Sequence, residues 1–172
     1  MRGVLSAVVG EGGHLGASGS ARSNPALDIP NLLYRYADAI DAGRFDEAAA
    51  LFDHGAVVVQ GQRIEGREAI ASMWRRWVRL YPDNTPRTRH LVTNPLIELA
   101  DDSLTARCRS QWTLLQATDA LPLQVVATGR YYDCFVYLDG RWHFTERRYA
   151  GVDLSGDMSA HLLQSVKGGK DD

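Results

Sequence analysis

An α+β fold built on an antiparallel sheet is what the sequence predicts, and three observations carry that prediction. Helical apolar spacing is confined to the first half of the folded region. Four strand-length segments fill the second half, and an Asp139-Gly140 dipeptide joins the last two as a tight hairpin. At 172 residues, 45% hydrophobic and 23% charged, the chain suits one globular domain with a buried core.

The elements follow in order. Residues 1–28 read as a flexible Gly/Ser/Ala-rich tail; Glu11 and Gly12-Gly13 break the short apolar run of MRGVLSAVVG too early for a signal peptide. Folded pattern begins near Pro30. Leu33, Tyr36, Ala37 and Ile40 recur at helical spacing over 29–42, and Gly43 ends that helix. A shorter helix from Asp46 to Phe52 precedes the β-branched strand HGAVVVQ, with a turn at Gly61. A third helix starts near Gly66 and carries Ile70, Met73, Trp74 and Trp77 towards Leu80, where Pro82 stops it. Strands are expected over 88–99, 103–117, 122–138 and 141–152. Residues 29–153 thus form the domain, and 154–172 an extension; a closing helix is expected over 153–166, then a loose end.

Composition narrows the function classes. A net charge of -2 without a long basic run argues against a nucleic-acid partner. No apolar stretch reaches the roughly 18 residues that cross a bilayer, and a cytoplasmic location is expected. Cys108 and Cys134 lack C-x-x-C spacing and read as reduced thiols, while five scattered histidines without an H-x-x-x-H pair predict no metal site.

Four segments together resemble the SnoaL-like branch of the nuclear transport factor 2-like superfamily. They are YRYADAIDAGRFDEAAALF, IEGREAI, TRHLVTN and GRYYDCFVYLDGRWHFTERR, and the resemblance spans roughly residues 30–152. It implies a cone-shaped curved sheet, an α+β barrel that encloses the N-terminal helices and a central pocket. The branch includes scytalone dehydratase, a bile acid dehydratase and hexachlorocyclohexane dehydrochlorinase. These pair an Asp near the end of the first helix with a His at the start of the first long strand, positions held here by Asp41 and His90.

The resemblance implies a cofactor-free lyase or isomerase acting on a small, mostly apolar, polyketide- or steroid-like ligand. In it His90 is the general base, Asp41 its orienter and Tyr36 a donor to a carbonyl or leaving oxygen. Such chemistry suits the residues: an imidazole titrates near working pH, and a buried carboxylate fixes its tautomer and stabilises the imidazolium. Tyr34, Trp74, Trp112, Tyr131 and Asp133 are expected to line the pocket; Asp133 is weighed also as a structural partner of Arg147 or Arg148. The pattern departs from its relatives at Leu115 and Ile40, where scytalone dehydratase has a second histidine and a tyrosine. Gln60 replaces the ketosteroid isomerase base, and Arg107 and Arg109 lack the carboxylate an epoxide hydrolase needs. The same scaffold serves noncatalytic small subunits of ring-hydroxylating dioxygenases and plain binding proteins, so those alternatives stay open. A homodimer or homotrimer through the outer sheet face is expected.

Overall fold

The computed structural model describes residues 23–163. Most of the expected N-terminal tail and the end of the C-terminal extension lie outside the described residues.

Helix α1 spans Pro25–Asp41, so it opens before the apolar spacing suggests and overlaps the segment read as tail. The signal is a cap. Asn24 Oδ1 accepts the Ala26 N–H at 3.1 Å, and the Asp28 carboxylate accepts the Asn24 N–H at 2.9 Å and the Ser23 hydroxyl at 3.0 Å. Pro25 takes the first helical position, which needs no N–H donor, whereas Pro30 lies inside the helix. At the other end the Arg44 N–H donates to Ala39 and the Gly43 N–H to Ile40, a Schellman ending. Gly43 adopts φ 71°, and a Cβ there would lie 2.2 Å from the Asn84 carbonyl oxygen. That stop leaves Asp41 as the last helical residue, facing inward with Leu33, Tyr36, Ala37 and Ile40.

Helix α2 (Phe45–Ala50) leads to strand β1 (Ala56–Val59), and β1 turns directly into β2 (Gln62–Glu65), a strand the sequence reading treats only as a turn. Its four residues show almost no apolar alternation, since only Ile64 is partly buried. The hairpin nevertheless closes through Gln60 and Gly61, both at positive φ (49° and 74°). Helix α3 covers Arg67–Trp77 and stops short of Leu80, because Val78 turns extended and bridges to Leu162.

The long strands are β3 (Thr88–Leu99), β4 (Thr105–Thr118), β5 (Leu121–Leu138) and β6 (Arg141–Ser155). Among the described residues the sheet has six strands in the order β2-β1-β6-β5-β4-β3 and does not close. Every pairing is antiparallel except β1 with β6, which is parallel. The Asp139-Gly140 hairpin forms as expected, with both residues at positive φ (50° and 79°). Register shifts in the β3–β4, β4–β5 and β5–β6 pairings mark the irregularities that let such long strands bend around the helices. One of them, near Asn94 (φ 52°), breaks simple alternation on β3: Leu96 turns outward, half exposed, instead of following His90 and Val92 inward.

Beyond Ala150 the chain stays extended to Ser155, and the Gly156 N–H still donates to the Val126 carbonyl at 2.9 Å. The expected helix over 153–166 is therefore replaced, within the described residues, by strand and a tight turn at Met158–Leu162. Pairing with the long β5 outcompetes local helix formation there.

Candidate active site

Strand register lays the inner face out in rows. Val92, Trp112, Gly129 and Val152 stand opposite one another across β3, β4, β5 and β6, as do Ser110, Tyr131 and Tyr149 across the last three strands. Next along come Cys108, Asp133 and Arg147. Gly129 is required by its row: a Cβ there would lie 2.5 Å from the Trp112 ring and 2.6 Å from the Gly151 carbonyl oxygen. The missing side chain lets the indole lie across β5.

At the mouth of this face α1 meets β3. The Asp41 carboxylate accepts the His90 backbone N–H at 2.6 Å and contacts His90 Nδ1 at 2.7 Å. It also accepts the Thr88 hydroxyl at 2.7 Å. The two side chains are only 7% and 9% exposed. Burial alone would raise the Asp41 pKa, but the His90 and Thr88 hydrogen bonds and the imidazole charge outweigh it and hold the carboxyl below its ordinary value. An ionised carboxylate only accepts, so the hydrogen between them sits on His90 Nδ1, and Nε2 is the ring nitrogen that Asp41 does not engage. The His90 ring lies 6.4 Å from that of Trp112, centre to centre.

The rest of the expected hollow is largely filled by aromatic rings. Tyr36 and Tyr131 are 2% exposed, Trp74 4% and Trp112 8%, and ring centres of Trp112, Tyr131 and Tyr36 follow one another at about 6 Å. The Tyr36 and Tyr149 hydroxyls share a short hydrogen bond, and Trp74 Nε1 donates to Tyr149 Oη at 3.3 Å. Burial, reinforced by Tyr149 and Tyr131, pushes the Tyr36 hydroxyl well above its ordinary pKa, so it is a donor at neutral pH.

Two expected pocket residues stand elsewhere. Tyr34 is 48% exposed, on the helix side turned away from the sheet, since the inward stripe of α1 runs through Leu33, Tyr36 and Ala37. Asp133 is no ligand group here: it faces Arg147 across β5 and β6 and takes both guanidinium hydrogen bonds at 2.8 Å, with both side chains fully buried. Arg147 Cζ sits 4.1 Å from the ring centres of Tyr36 and Tyr131. Burial disfavours its charge, yet the Asp133 carboxylate more than offsets this and keeps it protonated.

Several site residues escape the sequence reading. Thr88 could be found, because it shares a strand face with His90 in TRH. Tyr149 lies just past the last quoted segment, and His161 lies in the turn read as helix. Burial, followed by the His90 charge, lowers the His161 pKa from 6.5 to about 4. The folded protein then resists a proton that the unfolded chain takes up between pH 6.5 and 4, so stability falls as pH drops through that window. The loss attributable to this ring should approach roughly 3 kcal/mol, and urea titrations of His161→Phe should show a flatter decline than wild type. Equal slopes would mean the ring titrates normally.

A cleft of about 570 Å³ runs past the end of α1, lined in part by Asp38, Asp41, Asp83, Arg87, Thr88 and Gln116. No cluster of three or more metal-ligating side chains occurs among the described residues. No helix among them is long and apolar enough to cross a membrane.

A bent sheet wrapped on α1 and α3, with a carboxylate and an imidazole meeting at its mouth, defines a protein of the nuclear transport factor 2-like kind. Within that class the chain belongs to the SnoaL-like domain family, which it matches over residues 22–148. Among solved structures it is similar to Rv3472, a protein of unknown function from Mycobacterium tuberculosis, at 30% identity and TM-score 0.60 over 74% of this chain and 71% of that one. A candidate scytalone dehydratase from Novosphingobium aromaticivorans is 22% identical, TM-score 0.61, over 82% and 88%. An NTF2-like protein with a cystatin-like fold from the same organism is 19% identical, TM-score 0.59, over 77% and 84%. The last two likenesses speak for the fold alone. A comparison with curated proteins returns no match.

Proposed function

We propose that this chain is a cofactor-independent lyase or isomerase that takes a proton from carbon beside a carbonyl in a small, mostly apolar cyclic molecule. One observation carries the reading: the Asp41 carboxylate holds both the backbone N–H and Nδ1 of His90 in a nearly buried site. That grip aims a basic Nε2 away from its orienter, which is what a general base needs. His90 Nε2 takes the proton, and the carbon's electron pair moves toward the carbonyl oxygen. In a dehydration the pair then expels a β-hydroxyl, which leaves as water with the proton from His90. In an isomerisation the proton returns to another carbon. Tyr36 serves as a hydroxyl donor, and Trp74, Trp112 and Tyr131 shape the apolar wall.

The test uses 2-tetralone, a bicyclic ketone with acidic α-hydrogens, in D2O. Wild-type protein should catalyse α-deuterium incorporation, seen by NMR, well above buffer and above His90→Ala. Rates indistinguishable from buffer for wild type would sink the proposal.

Association through the sheet's outer face belongs to the same reading. Leu91, Leu96, Val125 and Tyr132 are each 43–51% exposed there, and Leu96, Arg109 and Tyr132 form one outward row. Such a patch favours a homodimer or homotrimer. Light scattering after size exclusion at micromolar concentration should give twice or three times the chain mass, and a monomer there would refute it.

A further inference from the structure

The turn after β6 brings a second imidazole, that of His161, to the dyad's end of the sheet. Its backbone is held from several sides. The Arg79 N–H donates to the His161 carbonyl at 2.8 Å, and the Leu163 N–H to the Trp77 carbonyl at 3.0 Å. The neighbouring Ala160 carbonyl accepts the Tyr81 hydroxyl at 2.7 Å and Gln116 Nε2 at 3.2 Å. Gln116 stands opposite Thr88 in the β3–β4 register, and Thr88 is the residue whose hydroxyl donates to Asp41. These ties fix the turn that carries His161 at the end of the sheet where Gln116 stands opposite Thr88, beside the dyad's strand.

The side chain is 7% exposed, and its Nδ1 is fully buried with no hydrogen-bond partner among the described residues. The Oε1 of Gln116 is in the same condition. Buried polar atoms in folded proteins are nearly always paired, because leaving one unpaired costs free energy. An imidazole serving only to fill space would be expected to have found a partner. Two unpaired polar atoms, one on β4 opposite Thr88 and the other in the turn that Gln116 holds through Ala160, point to a polar guest.

We propose that His161 contacts the substrate, donating a hydrogen bond from its neutral ring to the oxygen that gains negative charge as His90 removes the α-proton. The inference rests on the proton-abstraction reading and deepens it: the substrate is a carbonyl compound with an enolisable C–H, and its oxygen lies between the two histidines. The proton accounting is simple. His90 Nε2 gains the proton from carbon, the C–H electron pair forms the enolate, and His161 keeps its own proton while stabilising the enolate oxygen. A neutral imidazole suits that task because it offers a donor without competing for the proton.

Two probes test this: 2-tetralone for α-deuterium exchange, and 2-naphthol, a planar analogue of its enol, for binding. Protein with 15N-labelled histidines should show ring-nitrogen shifts at both His90 and His161 on adding 2-naphthol. His161→Phe, which keeps a ring of similar breadth without N–H, should weaken 2-naphthol binding and slow exchange at least tenfold. His161→Gln, which returns a donor, should recover part of both, a rescue that mere packing would not produce. Thermal melts of both variants separate these effects from loss of fold. If 2-naphthol moves only the His90 signals, or His161→Phe binds and exchanges within twofold of wild type, the role of His161 is overturned while the base assignment stands. If neither histidine responds and wild type does not exchange 2-tetralone, both readings fail together.

Discussion

Asp41→Asn should slow proton abstraction by about 10³–10⁴-fold while the fold survives. The carboxylate accepts from the His90 ring, the His90 backbone and the Thr88 hydroxyl at 2.6–2.7 Å. An amide has one accepting oxygen and two donor hydrogens, so it cannot satisfy three donors. The cheapest repair shifts the imidazole tautomer, so that Nδ1 accepts from the amide and the proton moves to Nε2, which removes the base where it is needed. His90→Ala should cost at least as much, and combining the two should add little, because each disables the same unit. Exchange of 2-tetralone measures all three variants. Near-normal exchange in Asp41→Asn would show that the carboxylate only caps the end of α1.

The fold was legible because its signals are local and repeated. The stripe of α1, the β-branched run at Ala56–Val59, the Asp139-Gly140 turn and the long alternating strands each announce themselves within a dozen residues. The failures are equally physical. Strand β2 is held by its turn and by pairing, and carries no apolar pattern of its own. The C-terminal turn looks helical in sequence but is captured by long-range bonds to Trp77, Arg79 and Gln116. For the site, Asp41 and His90 were accessible through the resemblance, and the structure brings them into contact. Tyr34 was misplaced because it lies seven residues before Asp41, at the edge of the α1 stripe, and there the helix turns it to solvent while Leu33, Tyr36 and Ala37 face inward. His161 was out of reach, since nothing near it in sequence hints at Asp41, 120 positions away in a different element.

The ion pair beneath the site should dominate stability. Arg147→Met removes the only partner that the described structure gives the buried Asp133 carboxylate, and Asp133→Asn takes the charge away from a buried guanidinium. Breaking such a pair from one side costs about 3–5 kcal/mol, because the remaining charge stays desolvated. Arg147 also lies between the Tyr36 and Tyr131 rings, so its loss removes cation–π attraction and loosens the Tyr36–Tyr149 contact as well. Replacing both partners, as Asp133→Leu with Arg147→Met, should cost far less than the two single losses added together, since no unpaired charge then remains. Urea midpoints at pH 7 read each arm of the cycle. Strictly additive losses, or single variants within about 1 kcal/mol of wild type, would mean that the aromatic packing rather than the paired charges holds these strands in register.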